Sequence, residues 1–178
     1  MGSIGIARLN PPAPLASDHD LDKFQCSEPS LERWLKERAR NNEAQGASRT
    51  YVVAAGREVV GYYCLSAGAV SREAATSSVR RNMPDPIPVI VLGRLAAHQG
   101  WEGRGIGSGL LKDALLRSIA AAKALGVRAL LCHAISPRAK EFYLKYGFAE
   151  SPLDPLTLML SLSSLASRPS AKAPRLPI

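Results

Sequence analysis

Apolar and polar positions alternate along this chain with two different periods. In LERWLKERARNNEAQ (31–45), Leu31, Trp34, Leu35 and Ala39 recur at helical intervals, which predicts one surface helix capped by Ser27 or Ser30. YVVAA (51–55) and VVGYYCLSAGAV (59–70) are rich in β-branched and aromatic residues and predict a hairpin turning at Gly56-Arg57-Glu58. SREAATSSVRRNMPDPIP (71–88) follows neither period, carries three prolines and a basic pair, and predicts an exposed loop. VIVLGRLAAH (89–98) is a nearly continuous apolar run, the pattern of a strand buried on both faces. From Gly105 to Leu125 the period returns to that of a helix, with Leu110, Leu111, Ala114, Leu115, Ile119 and Ala122 on one stripe. VRALLCHA (127–134) predicts a further strand. Ser136-Pro137 then reads as a cap with proline in the first turn of a short helix that closes on Gly147, and LTLMLSL (156–162) supplies a last strand.

This order predicts a mixed α/β (α+β) fold, and the length of 178 residues with 46% hydrophobic content fits one domain. We place that domain at 21–162, preceded by an N-terminal segment with a first strand (1–20). A basic, proline-rich tail at 163–178 reads as disordered. No apolar run is long enough to span a membrane. The opening MGSIGIARLN lacks the blocks of a signal peptide, and the three cysteines are widely spaced without a CxxC, so the chain reads as a cytoplasmic protein with reduced thiols. His19, His98 and His133 are isolated, and no metal site is expected. The charge balance changes the picture more: 23 Lys and Arg against 15 Asp and Glu, with a pI near 9.8, predict a surface that attracts polyanions.

Candidate chemistry concentrates in WEGRGIGSGLL (101–111), where Gly103, Gly105, Gly107 and Gly109 lead into the long helix. Glycines let backbone N–H groups approach a ligand, and the first N–H groups of a helix lack an internal partner, so this loop is a ready anion site. Two common anions fit poorly. Gly100 and Gly105 have the interval of a triphosphate loop, but Ile106 and Gly107 stand where Lys and Ser or Thr should follow. Gly103 and Gly105 begin a dinucleotide fingerprint, but Ser108 replaces its third glycine and no acidic residue ends a second strand at the required distance.

A buried strand, a glycine loop opening a long helix, another strand and a short helix containing EFYLKYGF together resemble the GNAT family of acetyl-coenzyme A dependent N-acetyltransferases. The resemblance implies one domain built on a central mixed, splayed sheet flanked by helices. It also implies that the loop motif, Glu102 to Gly107 here, holds the pyrophosphate of coenzyme A, with Glu102 departing from the usual Gln or Arg. The cofactor-binding residues would be Arg104, Gly105, Ile106, Gly107 and Ser108. Backbone groups from the preceding strand, among them Leu95 and Ala96 in the stretch from Gly93, would join them. GASRTYVVAAGREVVGYYCLSAGAV, RRNMPDPIPVIVLGRLAAHQGWEGRGIG and HAISPRAKEFYLKYGFAESPLDPLTLML further resemble the GNAT toxins of bacterial toxin–antitoxin pairs. That likeness implies acetylation of the α-amine of aminoacyl-tRNA, a ribbon-helix-helix antitoxin that binds operator DNA, and a homodimer.

Acyl transfer to an amine needs a proton for the departing thiolate, and the resemblance puts Tyr143 in that catalytic role; a phenol with a pKa of about 10 stays protonated at neutral pH. Periodicity alone places Tyr143 with Ala139, Phe142 and Tyr146 on one helical face, which is also a core pattern. Free α-amines titrate at about 7.7 to 8.0, so a strong base is not required, and no spacing singles out Glu43, Glu73 or His98 as one. Contacts to tRNA are expected from Arg80, Arg81 and Arg94, with Arg38, Arg40, Arg49, Arg138 and Lys140 as further basic positions. Two rival readings stand beside this one: a housekeeping N-acetyltransferase for a protein terminus or small amine, and a non-catalytic nucleic-acid-binding module.

Overall fold

The computed structural model describes residues 8–166. Strands β1 (Ala13–Pro14), β2 (Arg49–Ala55), β3 (Glu58–Val70), β4 (Ile87–Ala97), β5 (Ala129–His133), β6 (Ala149–Glu150) and β7 (Thr157–Ser161) form one sheet in the order β1-β2-β3-β4-β5-β7-β6. β4 and β5 pair in parallel, whereas β1 on β2, β5 on β7 and β6 on β7 are antiparallel. The helices are α1 (Pro29–Glu37), α2 (Ala39–Gln45), α3 (Ser77–Arg80), α4 (Ile106–Ala124), α5 (Pro137–Lys145) and α6 (Leu162–Ala166), and Gln99–Trp101 forms a 3₁₀ turn. The mixed sheet with interspersed helices is the α+β class that the pattern predicts. The chain falls into two compact units, Met1–Cys64 with Arg94–Asp113 and Leu65–Gly93 with Ala114–Ile178.

The first unit is built around Leu21, Phe24, Leu31, Trp34, Leu35, Ala39, Val52, Val59, Tyr62, Cys64 and Ala96. Phe24 meets the Tyr62 ring edge-on at 5.6 Å and Trp34 lies parallel to it at 5.9 Å, while the Tyr62 hydroxyl donates to the Leu31 carbonyl at 2.7 Å. Burial pushes the Tyr62 phenol far above its ordinary pKa. The single helix expected over 31–45 is two helices here. Arg38, at φ −120°, interrupts the ladder, and the break lets Ala39 join the same core as Leu31 and Leu35. Neither Ser27 nor Ser30 caps α1. Glu28 holds the cap position without a side-chain bond to the helix N–H groups, Pro29 occupies the first turn, and the Ser30 hydroxyl donates to the Glu28 carboxylate. The hairpin turn is as expected, with Gly56 at φ +64°.

The second unit packs Val70, Ala75, Val79, Ile87, Val89, Ala129, Leu131 and Met159. This overturns the reading of 71–88 as only an exposed loop. Ala75 and Val79 are wholly buried, and Val79 sits in α3, a helix too short to register as a periodic pattern. The predicted start and stop of α5 are both present: the Ser136 hydroxyl accepts from the Ala139 N–H at 3.1 Å, and Gly147 takes φ +93°. β6 and α6 went unpredicted because two and five residues are too few to show a period. α6 reaches Ala166, four residues into the segment set apart as a tail, and positions 167–178, like 1–7, lie outside the described residues.

Burial of Val79 carries a measurable consequence. Val79→Ala removes two buried carbons, which at about 0.8 kcal/mol each gives a loss near 2 kcal/mol before any cavity is counted. Denaturant unfolding should show a lower midpoint with an unchanged slope. A midpoint equal to that of the unsubstituted protein would return this segment to the surface.

Candidate functional site

The glycine loop owes its shape to left-handed backbone. Gly103 (φ +75°) and Gly105 (φ +78°) adopt conformations that side chains with a Cβ resist, so the spacing of glycines in 103–105 is a conformational requirement. The Gly105 carbonyl then accepts from the Gly109 N–H and the Ser108 hydroxyl, both at 3.0 Å, and starts α4. The first N–H groups of that helix point out of its end, where the positive pole of the helix dipole lies. The neighbouring charge is restrained: the Arg104 guanidinium lies 4.8 Å from the centre of the Trp101 ring.

What holds this helix start in place is a glycine that the sequence reasoning left aside. A Cβ on Gly61 of β3 would stand 2.6 Å from Ile106 Cγ2 and 3.1 Å from Leu110 Cδ1, so only a bare backbone lets α4 lie this close. Two residues on, the Tyr63 hydroxyl donates to the Asp113 carboxylate at 2.5 Å, and Tyr51 stacks on the Tyr63 ring at 5.1 Å. The signal was available, since a glycine inside a β-branched, aromatic strand marks a close approach by another element. Leu95 is half-buried and Ala96 buried on β4 of the same unit, and the Ala96 carbonyl faces the position of a Gly61 Cβ at 3.5 Å.

Several candidates turn out to be occupied. His98 accepts from the Gly100 N–H through Nδ1 at 2.9 Å, so its Nε2–H donates to the Lys23 carbonyl at 3.1 Å; both ring nitrogens brace the 3₁₀ turn before the loop. The Glu43 carboxylate holds Arg49 and the Thr50 N–H. Arg40 donates to the Ala16 and His19 carbonyls, and Lys140 pairs with Glu150 at 2.7 Å. Arg94 lies 4.6 Å from the centre of the Trp34 ring, packed on the first unit's core.

Arg80 and Arg81 occur together at the end of α3 in the second unit, on a backbone held by two other arginines. Arg72 Nη1 donates to the Arg80 and Met83 carbonyls. Arg128 donates through Nε to Val79 and through Nη2 to Ser78 and Arg81, at 2.9 to 3.2 Å. These bonds satisfy carbonyls at the C-terminus of a short helix, where cations are favoured. Sequence reasoning missed both arginines, because nothing in their neighbourhood marks them as inward-facing.

Tyr143 is buried on α5, with Phe142 and Phe148 meeting its ring edge-on at 5.2 and 5.4 Å. The aromatic face is therefore a packed one, as periodicity predicts, and it fixes the direction of the phenol. In the same unit His133 and Thr157 face each other across β5 and β7, with Nδ1 and Oγ1 2.9 Å apart, and the Thr157 hydroxyl donates to Asp154 Oδ2 at 2.7 Å. That hydroxyl first, and the Leu156 N–H second, hold the Asp154 carboxyl below its ordinary pKa. Burial pushes the Cys132 thiol up to about 12 and raises that of Cys26, so neither is an activated nucleophile. Among the described residues there is no cluster of His, Cys, Asp and Glu able to hold a metal ion, and no helix long and apolar enough to cross a membrane.

Residues 46–150 match the acetyltransferase (GNAT) domain family. A tRNA-acetylating toxin of Mycobacterium tuberculosis (strain ATCC 25618 / H37Rv) is 46% identical over 149 residues, covering 84% of this chain and 90% of the relative. The toxin AtaT complexed with acetyl-methionyl-tRNAfMet superposes with a TM-score of 0.82 at 27% identity, over 89% of this chain and 98% of that one. A tyrosine-to-phenylalanine variant of AtaT, bound to the C-terminus of the antitoxin AtaR and to acetyl-CoA, gives 0.76 at 25% identity, over 89% and 96%.

The loop geometry is open to a direct test. Gly105→Asp and Gly107→Asp each place a side chain and a negative charge at the helix start, and both should abolish acetyl-coenzyme A binding in calorimetric titration. Unchanged affinity in either folded variant would remove this loop from the cofactor site.

Proposed function

The chain belongs to the GNAT acetyltransferase family, and from that premise we propose that it transfers acetyl from acetyl-coenzyme A to the α-amine of aminoacyl-tRNA, blocking translation as a toxin. The observation that carries this reading is the 46% identity to a tRNA-acetylating toxin across nearly the whole length of both chains. The left-handed glycine loop at the start of α4 supports it by offering backbone donors to a pyrophosphate.

Acetyl-coenzyme A supplies the thioester and leaves as a thiolate. Backbone amides from Arg104 to Ser108 bind the pyrophosphate, and Gly105 and Gly107 keep side chains out of its way. Leu95 and Ala96 orient the cofactor through their backbone. Tyr143 gives its phenolic proton to the departing sulfur, and its aromatic neighbours hold the hydroxyl in one direction. Arg80 and Arg81 bind tRNA phosphates, while Arg94, held on Trp34, contributes at most a fixed positive charge. The acetyltransferase domain spans 21–162. Its protein partner is a ribbon-helix-helix antitoxin that binds operator DNA; the toxin acts as a homodimer in the cytoplasm.

Two measurements test these roles. Tyr143→Phe should leave a folded, cofactor-binding protein whose acetyl transfer is slower by at least about a hundredfold, and unaltered turnover would leave Tyr143 a packing residue only. Incubation with labelled acetyl-coenzyme A and a full set of charged tRNAs should label the esterified amino acid and spare deacylated tRNA; label only on proteins or free amines would point to a housekeeping enzyme. In the same system, log affinity for tRNA should fall with log salt by about 0.7 to 0.9 per phosphate neutralised. Neutralising Arg80 and Arg81 together should flatten that slope by roughly one to two units without changing cofactor affinity.

A further inference from the structure

Resting on the acetyl-transfer reading, we infer that His133 accepts the proton of the attacking amine, held in the required tautomer by Thr157 and Asp154. His133 is the last residue of β5. The parallel ladder with β4 ends one residue earlier, at Leu92↔Cys132, although β4 itself continues to Ala97. The next position on β4 is Gly93, which carries no side chain. His133 is exposed at this strand end, and Ser136, which caps the helix carrying Tyr143, follows three residues later.

The tautomer follows from counting protons. A threonine hydroxyl has one, and Thr157 donates it to Asp154 Oδ2 at 2.7 Å. Its oxygen can therefore only accept from His133, 2.9 Å away, which places a proton on Nδ1 and leaves the lone pair on Nε2. During transfer the amine nitrogen bonds to the acetyl carbon, the carbon–sulfur bond breaks, the surplus N–H proton passes to Nε2 and the thiolate takes the Tyr143 proton. Solvent then returns the His133 proton to Tyr143, so the net movement is one proton from nitrogen to sulfur. The positive charge gained by the imidazole is joined through Thr157 to the Asp154 carboxylate.

β7 offers only Thr157 opposite His133, and β4 offers Gly93. Cys132, next along β5, is buried and alternates to the other face of the strand. In the segment between Val70 and Val89, Arg72 is bound to carbonyls, Asp85 accepts from the Arg72 N–H, and Glu73, Arg80 and Arg81 are the other charged side chains. α6 carries no ionisable residue; α5 carries Arg138, Glu141 and Lys145 besides Lys140, which is paired with Glu150.

His133→Asn tests the inference, because its amide can still donate to Thr157 but offers no acceptor at the Nε2 position. The variant should bind acetyl-coenzyme A normally and transfer acetyl to aminoacyl-tRNA at least about a hundredfold more slowly near neutral pH. His133→Gln should behave alike and covers the case in which the first variant folds poorly. Independently of activity, nitrogen NMR of the histidine rings should show His133 protonated at Nδ1 in its neutral form, and Thr157→Val should abolish that preference. An Nε2-protonated ring or a wild-type rate in both variants would each overturn the proposal. A wild-type protein inactive on every charged tRNA would instead overturn the acetyl-transfer reading on which it rests.

Discussion

The distance between β3 and the first two turns of α4 governs what the glycine loop can do. An anion site made of backbone N–H groups has no side chain to reach for its ligand, so its precision depends on how firmly the helix start is held. Here that firmness comes from a missing Cβ at Gly61, which admits Ile106 and Leu110, and from the bond between Tyr63 and Asp113 one turn further along. Widening that contact would move every donor of the loop together. Fold stability and the placement of the loop's N–H donors are thus two readings of one packing contact in the first unit.

In the proposed reaction the second unit supplies proton chemistry by a different economy of parts. There Tyr143 is the donor, packed by aromatic neighbours, and His133 the acceptor, held by a hydroxyl that has only one proton to give. Direction, set by packing in one case and by hydrogen-bond order in the other, decides which atom gives and which takes.

Legibility in the sequence followed the range of the interaction. Elements whose signals are local, such as α5 between Ser136 and Gly147 or the turn at Gly56, could be placed from neighbouring residues alone. The loop at 103–109 was legible for the same reason, since glycine spacing and helix start lie side by side. The break at Arg38 and the burial of Val79 were not, because each answers to a core assembled from distant segments. His133 looked like an isolated histidine; only the register of β5 on β7 sets it opposite Thr157, 24 residues away.

The arginines that hold the Arg80–Arg81 backbone change how this chain's formal charge of +8 should be interpreted. Arg72 and Arg128 act as struts, each guanidinium offering several donors in a fixed fork to carbonyls that a single ammonium could not reach together. Arg40 and Arg57 likewise serve backbone oxygens, and Arg94 and Arg104 lie on indole rings. Part of the basic composition is therefore architecture with charge attached. Exchange of arginine for lysine preserves the net charge everywhere, yet it would loosen the frame at these positions and change little where the side chain acts only as a counterion. Through that difference, evolution could retune the fit to a nucleic acid without altering its long-range attraction.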